Sequence, residues 1–358
     1  MKRRGCAGNP GGLCDDIPHA SNVMSQLATA GLSDRTRLVL IAGAPRCGTT
    51  AMSRYLGRHA QICLSNPKET HFFLSPTSAA DPAASRDRYR RHHFPDLDWS
   101  HQVLLDGSIS CLYSPDSARR VLAVFPDARF IVMLRNPVDL VHSYHGRLLF
   151  YRQETETDLQ RAWDLQVDRA NGRNIPTFCS NPEILRYREV GSLGRHLEAF
   201  FAAVGCERCL LVFYDDFIED PGTSYRAALA FAGLPDDGRT EFPRKGRPRA
   251  YRSSWVQFML SGAFLMPLLP VGAGSTAFYG RLARWSKPWR KRIRSLSAPK
   301  VERELLSPQA RANLYLEFKD DIDRLARLTG RNLDSWRVAA SSPEEALSQR
   351  VPAAGMAR

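Results

Sequence analysis

The sequence predicts an α/β fold in three layers, with helices on both faces of a central parallel sheet. Three observations predict it. Short apolar runs of strand length recur between helical stretches, the pattern of parallel strands joined by crossover helices. The first run ends in a glycine-bounded loop, Gly43-Ala-Pro-Arg-Cys-Gly48-Thr49-Thr50, followed by a helix. The polar residues suited to chemistry fall just after the strand ends, where open parallel sheets hold their ligands.

Taken in order, residues 1–33 are rich in Gly, Asn, Asp and Ser without periodicity and read as a flexible lead-in. A domain is expected over 34–338, and a disordered tail over 339–358. Leu38–Ala42 is the first strand, and Thr49–His59 the helix after the loop. A second strand is expected near Cys63. Val103–Asp106 is the third, followed by Ser114-Pro115, a cap with proline at the first helical position, and a helix to Phe125. Arg129–Leu134 is apolar enough for a central strand, and Pro137 again suits a helix start. Helix is expected over Pro182–Val204, strand over Cys209–Tyr214, and an amphipathic helix over Pro308–Leu328, stopped near Gly330.

The formal charge of +13 is local. Between Phe242 and Val301 stand thirteen basic residues and no acidic one, so the rest of the chain balances to zero. A nucleic-acid-binding face is therefore not expected. Within this insertion, 242–301, Trp255–Val271 is apolar but carries Pro267 and Pro270, and falls short of the ~20 residues a spanning helix needs. Arg281–Arg294 interleaves Trp285 and Trp289 with basic residues. The stretch 255–294 thus reads as a surface for an anionic membrane or for an acceptor, in competition with a core helix and a solvated basic face. No apolar leader follows the basic first residues, so the expected location is cytoplasmic, at most peripheral at the inner membrane surface. The eight cysteines are scattered, and the lone Cys206-x-x-Cys209 pair does not make a metal site.

Four constellations carry chemistry. The loop has phosphate-binding spacing, but Thr49 stands where a nucleotide triphosphatase carries its lysine. Backbone N–H groups and the positive end of a helix dipole still favour an anion there. Arg46 adds a cation, and Thr49 and Thr50 add hydroxyls. The second group is Pro67-Lys68-Glu69-Thr70-His71-Phe72-Phe73, where a carboxylate beside two cationic groups is suited to act as a general base. The third is Arg135-Asn136-Pro137-Val138-Asp139 with Ser143, an arginine and a serine able to clamp a second phosphate. An ATPase would place an acidic Mg²⁺ ligand at that strand end, so the kinase reading weakens twice. The fourth is Tyr214-Asp215-Asp216, read equally well as ligand contact or as a strand end capped by acids.

This ordered set resembles the sulfotransferase family that uses 3′-phosphoadenosine 5′-phosphosulfate (PAPS), and its bacterial and heparan-sulfate-type branches more than its aryl and steroid branch. The similarity runs from about Leu38 to Trp336, and takes in Phe231-Ala-Gly-Leu234 and Leu328-Thr-Gly-Arg-Asn-Leu-Asp-Ser-Trp336. It implies a P-loop NTPase-like three-layer αβα fold. By that resemblance Arg46, Cys47, Gly48, Thr49 and Thr50 bind the 5′-phosphosulfate, with Arg46 stabilising the leaving phosphate. Arg135 and Ser143 hold the 3′-phosphate, and Tyr214 touches the adenine. Glu69 deprotonates the acceptor hydroxyl, with Lys68 and His71 beside it, and no metal is required. The acceptor would be a carbohydrate, a glycolipid or another hydroxylated metabolite.

Two features depart from the family pattern. Asp106-Gly107-Ser108-Ile109 lacks the proline of the family's Glu-x-Ser-Pro segment, and Gly107 stands where the heparan-type branch has a lysine. The basic lid aligns with either Lys245-Gly246-Arg247 or Arg249–Arg252. Other readings are a P-loop nucleotide kinase, or a non-enzymatic basic protein that binds membrane or nucleic acid and carries an inert loop.

Overall fold

The computed structural model describes residues 36–243 and 306–337. The expected lead-in, tail, insertion and lid therefore lie outside the described residues, apart from short margins. Five parallel strands form one sheet: β1 (Arg37–Gly43), β2 (Ile62–Leu64), β3 (Val103–Asp106), β4 (Arg129–Leu134) and β5 (Cys209–Phe213). Their order is β2-β3-β1-β4-β5, with Leu38 beside Leu104 and Ile41 beside Ile131. β3 is buried throughout, and β1 and β4 are buried apart from a half-exposed arginine at the start of each, because helices cover both faces.

Among the described residues, seven helices of eight or more residues accompany the sheet. They are α1 (Thr49–Leu56), α2 (Pro82–His93), α3 (Pro115–Val124), α4 (Pro137–Phe150), α5 (Leu193–Val204), α6 (Pro221–Ala232) and α7 (Pro308–Thr329). Five start on one device, a polar cap followed by proline at the first helical position. The caps are Asp81, Ser114, Asn136, Asp220 and Ser307, each accepting a backbone N–H from the first turn. Asp81-Pro82 carried that signal for α2, which the apolar periodicity alone does not reveal. α7 ends on Gly330 in the left-handed region, where the sequence places its stop.

The expected helix Pro182–Val204 is instead three pieces: a 3₁₀ turn Pro182–Leu185, a short helix Tyr187–Gly191, and α5. The break has a long-range cause. Gly194 and Arg195, at the start of α5, donate their N–H groups to the Asp321 carboxylate at 2.7 and 2.8 Å, so α7 supplies the cap from across the core. Cys206 begins a 3₁₀ turn and Cys209 opens β5.

The chain crosses to one side of β1 to make β2 and β3, then to the other to make β4 and β5. The reversal opens a crevice at the carboxyl end of β1. The four constellations follow β1, β2, β4 and β5 along the chain. In space the β1 loop is central, with the Glu69 segment on one flank and Arg135 and Tyr214 on the other.

Candidate active site

The loop after β1 is held open by two glycines. Gly43 has φ +136, and a Cβ there would meet the Met133 carbonyl oxygen at 2.6 Å. Gly48, at φ +86, caps α1 without a side chain, and the Ala51 N–H turns back to its carbonyl at 2.9 Å while no side chain caps the Thr49 and Thr50 N–H groups. Those groups and the dipole are left facing the crevice, an anion cradle. Arg46 also has positive φ, at 69. Its Nε donates to Ser143 Oγ at 2.9 Å, and its carbonyl accepts from Arg135 Nη1 at 2.9 Å. The Arg135 guanidinium stacks 4.3 Å from the centre of the Tyr214 ring. Residues from three of the four constellations, Arg46, Arg135 with Ser143, and Tyr214, thus meet in one cluster.

Cys47 differs. Its side chain is fully buried, burial pushes the thiol up to about 12, and it points back to the Pro45 carbonyl. Cys47 can offer a ligand its backbone only. Asp215 and Asp216 also face elsewhere. Trp336 Nε1 donates to Asp215 Oδ2 at 2.8 Å, and Arg331 pairs with Asp216. These acids pin the closing segment against β5, leaving Tyr214 on the cavity.

On the other flank, Glu69 sits between two cations, Lys68 Nζ at 2.6 Å and His71 Nε2 at 3.6 Å. Burial alone would raise the Glu69 carboxyl. Hydrogen bonds from His71 and Lys68, and the charge of both, outweigh it and hold the group at about 2. The His71 imidazole is raised in turn, chiefly by its hydrogen bond to Glu69. Lys68 lies over Gly107, where any Cβ would come within 3.0 Å of its Nζ. The glycine that departs from the family pattern is what gives this lysine room.

Beneath the segment lies a carboxylate that sequence reasoning did not assign a role. Asp106, at the end of β3, is fully buried. It accepts from Thr70 Oγ1 and Tyr89 Oη, both at 2.6 Å, and from Ser108 N at 2.8 Å, while Ser108 Oγ takes the His71 N–H at 2.9 Å. Saturating a buried carboxylate in this way fixes the turn that carries Glu69. An acid closing an apolar strand is the signal that could have found it.

One cavity of about 1600 Å³ joins the two flanks. Arg46, Gly48, Thr49, Thr50, Glu69, Arg135, Ser143 and Tyr214 all line it. Lys68, His71 and Cys47 are not among the lining residues. The cavity is larger than the ~300–1,000 Å³ typical of a single small-molecule site. Its far wall was not foreseen, and comes from Ser110, Tyr113, Tyr144, Arg147, Tyr151, Gln153 and the 180–190 stretch. That wall rests on a second buried carboxylate. Arg169 grips Glu154 through two bonds of 2.7 and 2.8 Å, and Tyr187 donates to the same group at 2.7 Å. Among the described residues, no group of three or more His, Cys, Asp or Glu side chains could hold a metal ion.

Backbone N–H groups at a helix start and an ionised carboxylate on the same cavity form an arrangement that can serve group transfer. Residues 105–238 match a profile described as "Sulfotransferase family". The membrane-associated sulfotransferase kil1 of Dictyostelium discoideum is 25% identical over 128 residues, 35% of this chain and 26% of that protein, so the match spans about a quarter of the relative's length. A sulfotransferase crystal structure from Alicyclobacillus acidocaldarius superposes with a TM-score of 0.57 at 22% identity, over 86% of this chain and all of the other, a likeness of fold. The matched stretch, 105–238, is similar to the sulfotransferase family, and the fold is like that of a solved sulfotransferase.

Proposed function

We propose that this protein transfers the sulfuryl group of PAPS to a hydroxyl of a carbohydrate, a glycolipid or another hydroxylated metabolite, with Glu69 as the base. The observation that carries the reading is a single cavity lined by both the anion cradle and the Glu69 carboxylate. The β1 loop and Arg46 would hold the 5′-phosphosulfate, Arg135 and Ser143 the 3′-phosphate, and Tyr214 the adenine. This chain has no loop lysine and has Arg135 where an ATPase places its acidic metal ligand, which fits a phosphosulfate donor better than ATP.

In the reaction, the acceptor oxygen bonds to sulfur as the bond from sulfur to the 5′-phosphate oxygen breaks. The hydroxyl proton passes to Glu69, and the departing charge falls on the phosphate beside Arg46 and the loop N–H groups. A carboxyl held at about 2 is a weak base at neutral pH. Loss of the Lys68 or His71 contact when an acceptor binds would remove one of the interactions that hold that value down. Incubating the protein with sulfur-labelled PAPS and an extract of hydroxylated metabolites should move label into an acceptor. Label that stays in the nucleotide, with phosphate transferred from ATP instead, would refute this function.

Peripheral membrane contact through 255–294 belongs to the same proposal. It is supported by the acid-free basic sequence and by the description of kil1 as membrane-associated. No helix among the described residues is long and apolar enough to cross a membrane. Neutral replacements at Arg290, Lys291 and Arg292 should reduce binding to anionic vesicles, and unchanged binding would remove the contact.

A further inference from the structure

The far wall of the cavity is uniform in one respect: its uncommitted polar groups can all donate a hydrogen bond. Gln153 Oε1 accepts from the Ser180 N–H at 2.8 Å, which fixes the amide and leaves its NH₂ without a partner among the described residues. Asn181 is fixed likewise, Oδ1 accepting from the Glu183 N–H at 3.0 Å with its NH₂ left over. Tyr144 lines the cavity, and its hydroxyl has no hydrogen-bond partner among the described residues. The two acids on this wall are already compensated, Glu183 by Arg186 at 2.8 Å and Glu189 by Arg195 and His196.

Arg147 stands apart from the nucleotide cations. It lies four residues after Ser143 on α4, on the same face and about one turn, ~6 Å, further along. Arg46 and Arg135 are tied to the loop, whereas Arg147 makes no ion pair among the described residues. Its guanidinium rests 5.4 Å from the centre of the Tyr151 ring, and Tyr151 is 53% exposed at the cavity mouth. A solvent-facing aromatic ring, an unpaired guanidinium and three spare donor groups together suit an oxygen-rich ligand with one negative charge.

We propose that the acceptor is a hydroxylated molecule carrying an anionic oxygen group, a carboxylate or a phosphate, and that Arg147 at the cavity mouth selects it. The Tyr151 ring offers a face for the body of the acceptor, while Tyr144, Gln153 and Asn181 donate to its oxygens. This inference rests on the acceptor occupying the side of the cavity away from Arg135.

The test compares binding of p-nitrophenyl glucoside, p-nitrophenyl glucuronide and p-nitrophenyl glucoside 6-phosphate by calorimetry, with and without adenosine 3′,5′-bisphosphate. At least one charged glycoside should bind about fivefold more tightly than the neutral one, the size of one solvent-facing ion pair. Which of the two binds better tells carboxylate from phosphate. Arg147→Gln should abolish the preference, Arg147→Lys should keep part of it, and both variants should bind the bisphosphate like the wild type. Equal binding of all three glycosides, binding of none, or a preference that survives Arg147→Gln overturns the proposal. So does loss of bisphosphate binding in Arg147→Gln, which would move the residue to the nucleotide. A wild type that prefers the charged glycoside but does not bind the bisphosphate would count against the PAPS reading alone.

Discussion

The loop side of the cavity is made largely of backbone, and the far wall of side chains drawn from distant segments. Gly43 and Gly48 bend the β1 loop so that the N–H groups of α1 face one point, and Arg46 and Arg135 close over it. The far wall has no such local logic. Tyr113 on one segment, Tyr144 and Arg147 on α4, and the 180–190 stretch are brought together by the Glu154–Arg169–Tyr187 cluster. A donor common to a family can be held by a fixed backbone motif, whereas acceptor specificity can drift with the side chains that build the wall. On the proposed function, chemistry and selectivity are separated within one cavity.

Three substitutions can break or sharpen this contrast. The largest effect is expected from Glu69→Gln, which should lower turnover about 10²- to 10⁴-fold. Binding of adenosine 3′,5′-bisphosphate should be nearly unchanged. Lost binding with unchanged turnover would remove Glu69 as the base.

Glu154→Ala should act on the far wall through stability. It strands the buried Arg169 guanidinium, a loss of about 3–5 kcal/mol, seen as a lower midpoint in urea unfolding. In hydrogen exchange, protection should fall first over 151–187 while β1 and its loop stay protected. Uniform loss of protection would mean that the two sides are not separable. The third substitution, at Arg135, addresses the nucleotide itself.

Legibility in the sequence follows the same division. The five strands of the described sheet, the loop, and the places of the Glu69 segment and of Arg135 with Ser143 could be read, because each is a contiguous run whose position depends on local spacing. The far wall could not be read, since Glu154 and Arg169 sit fifteen residues apart in a stretch without periodicity and pair only after folding. The break before α5 was hidden for a related reason: its cap is Asp321, on α7. Asp215 and Asp216 were left open between two roles, and only the arrival of Arg331 and Trp336 from the end of the domain decides for the structural one. Cys47 falls in the loop by spacing, yet burial leaves it no side-chain role toward a ligand.

The most direct test of the central claim, a PAPS site centred on the β1 loop, is calorimetry of Arg135→Ala with two nucleotides. Affinity for adenosine 3′,5′-bisphosphate should fall roughly 10- to 100-fold, the size of one charge-assisted hydrogen bond, while adenosine 5′-phosphosulfate, which has no 3′-phosphate, should be affected much less. Equal losses for the two nucleotides, or none for either, would contradict it.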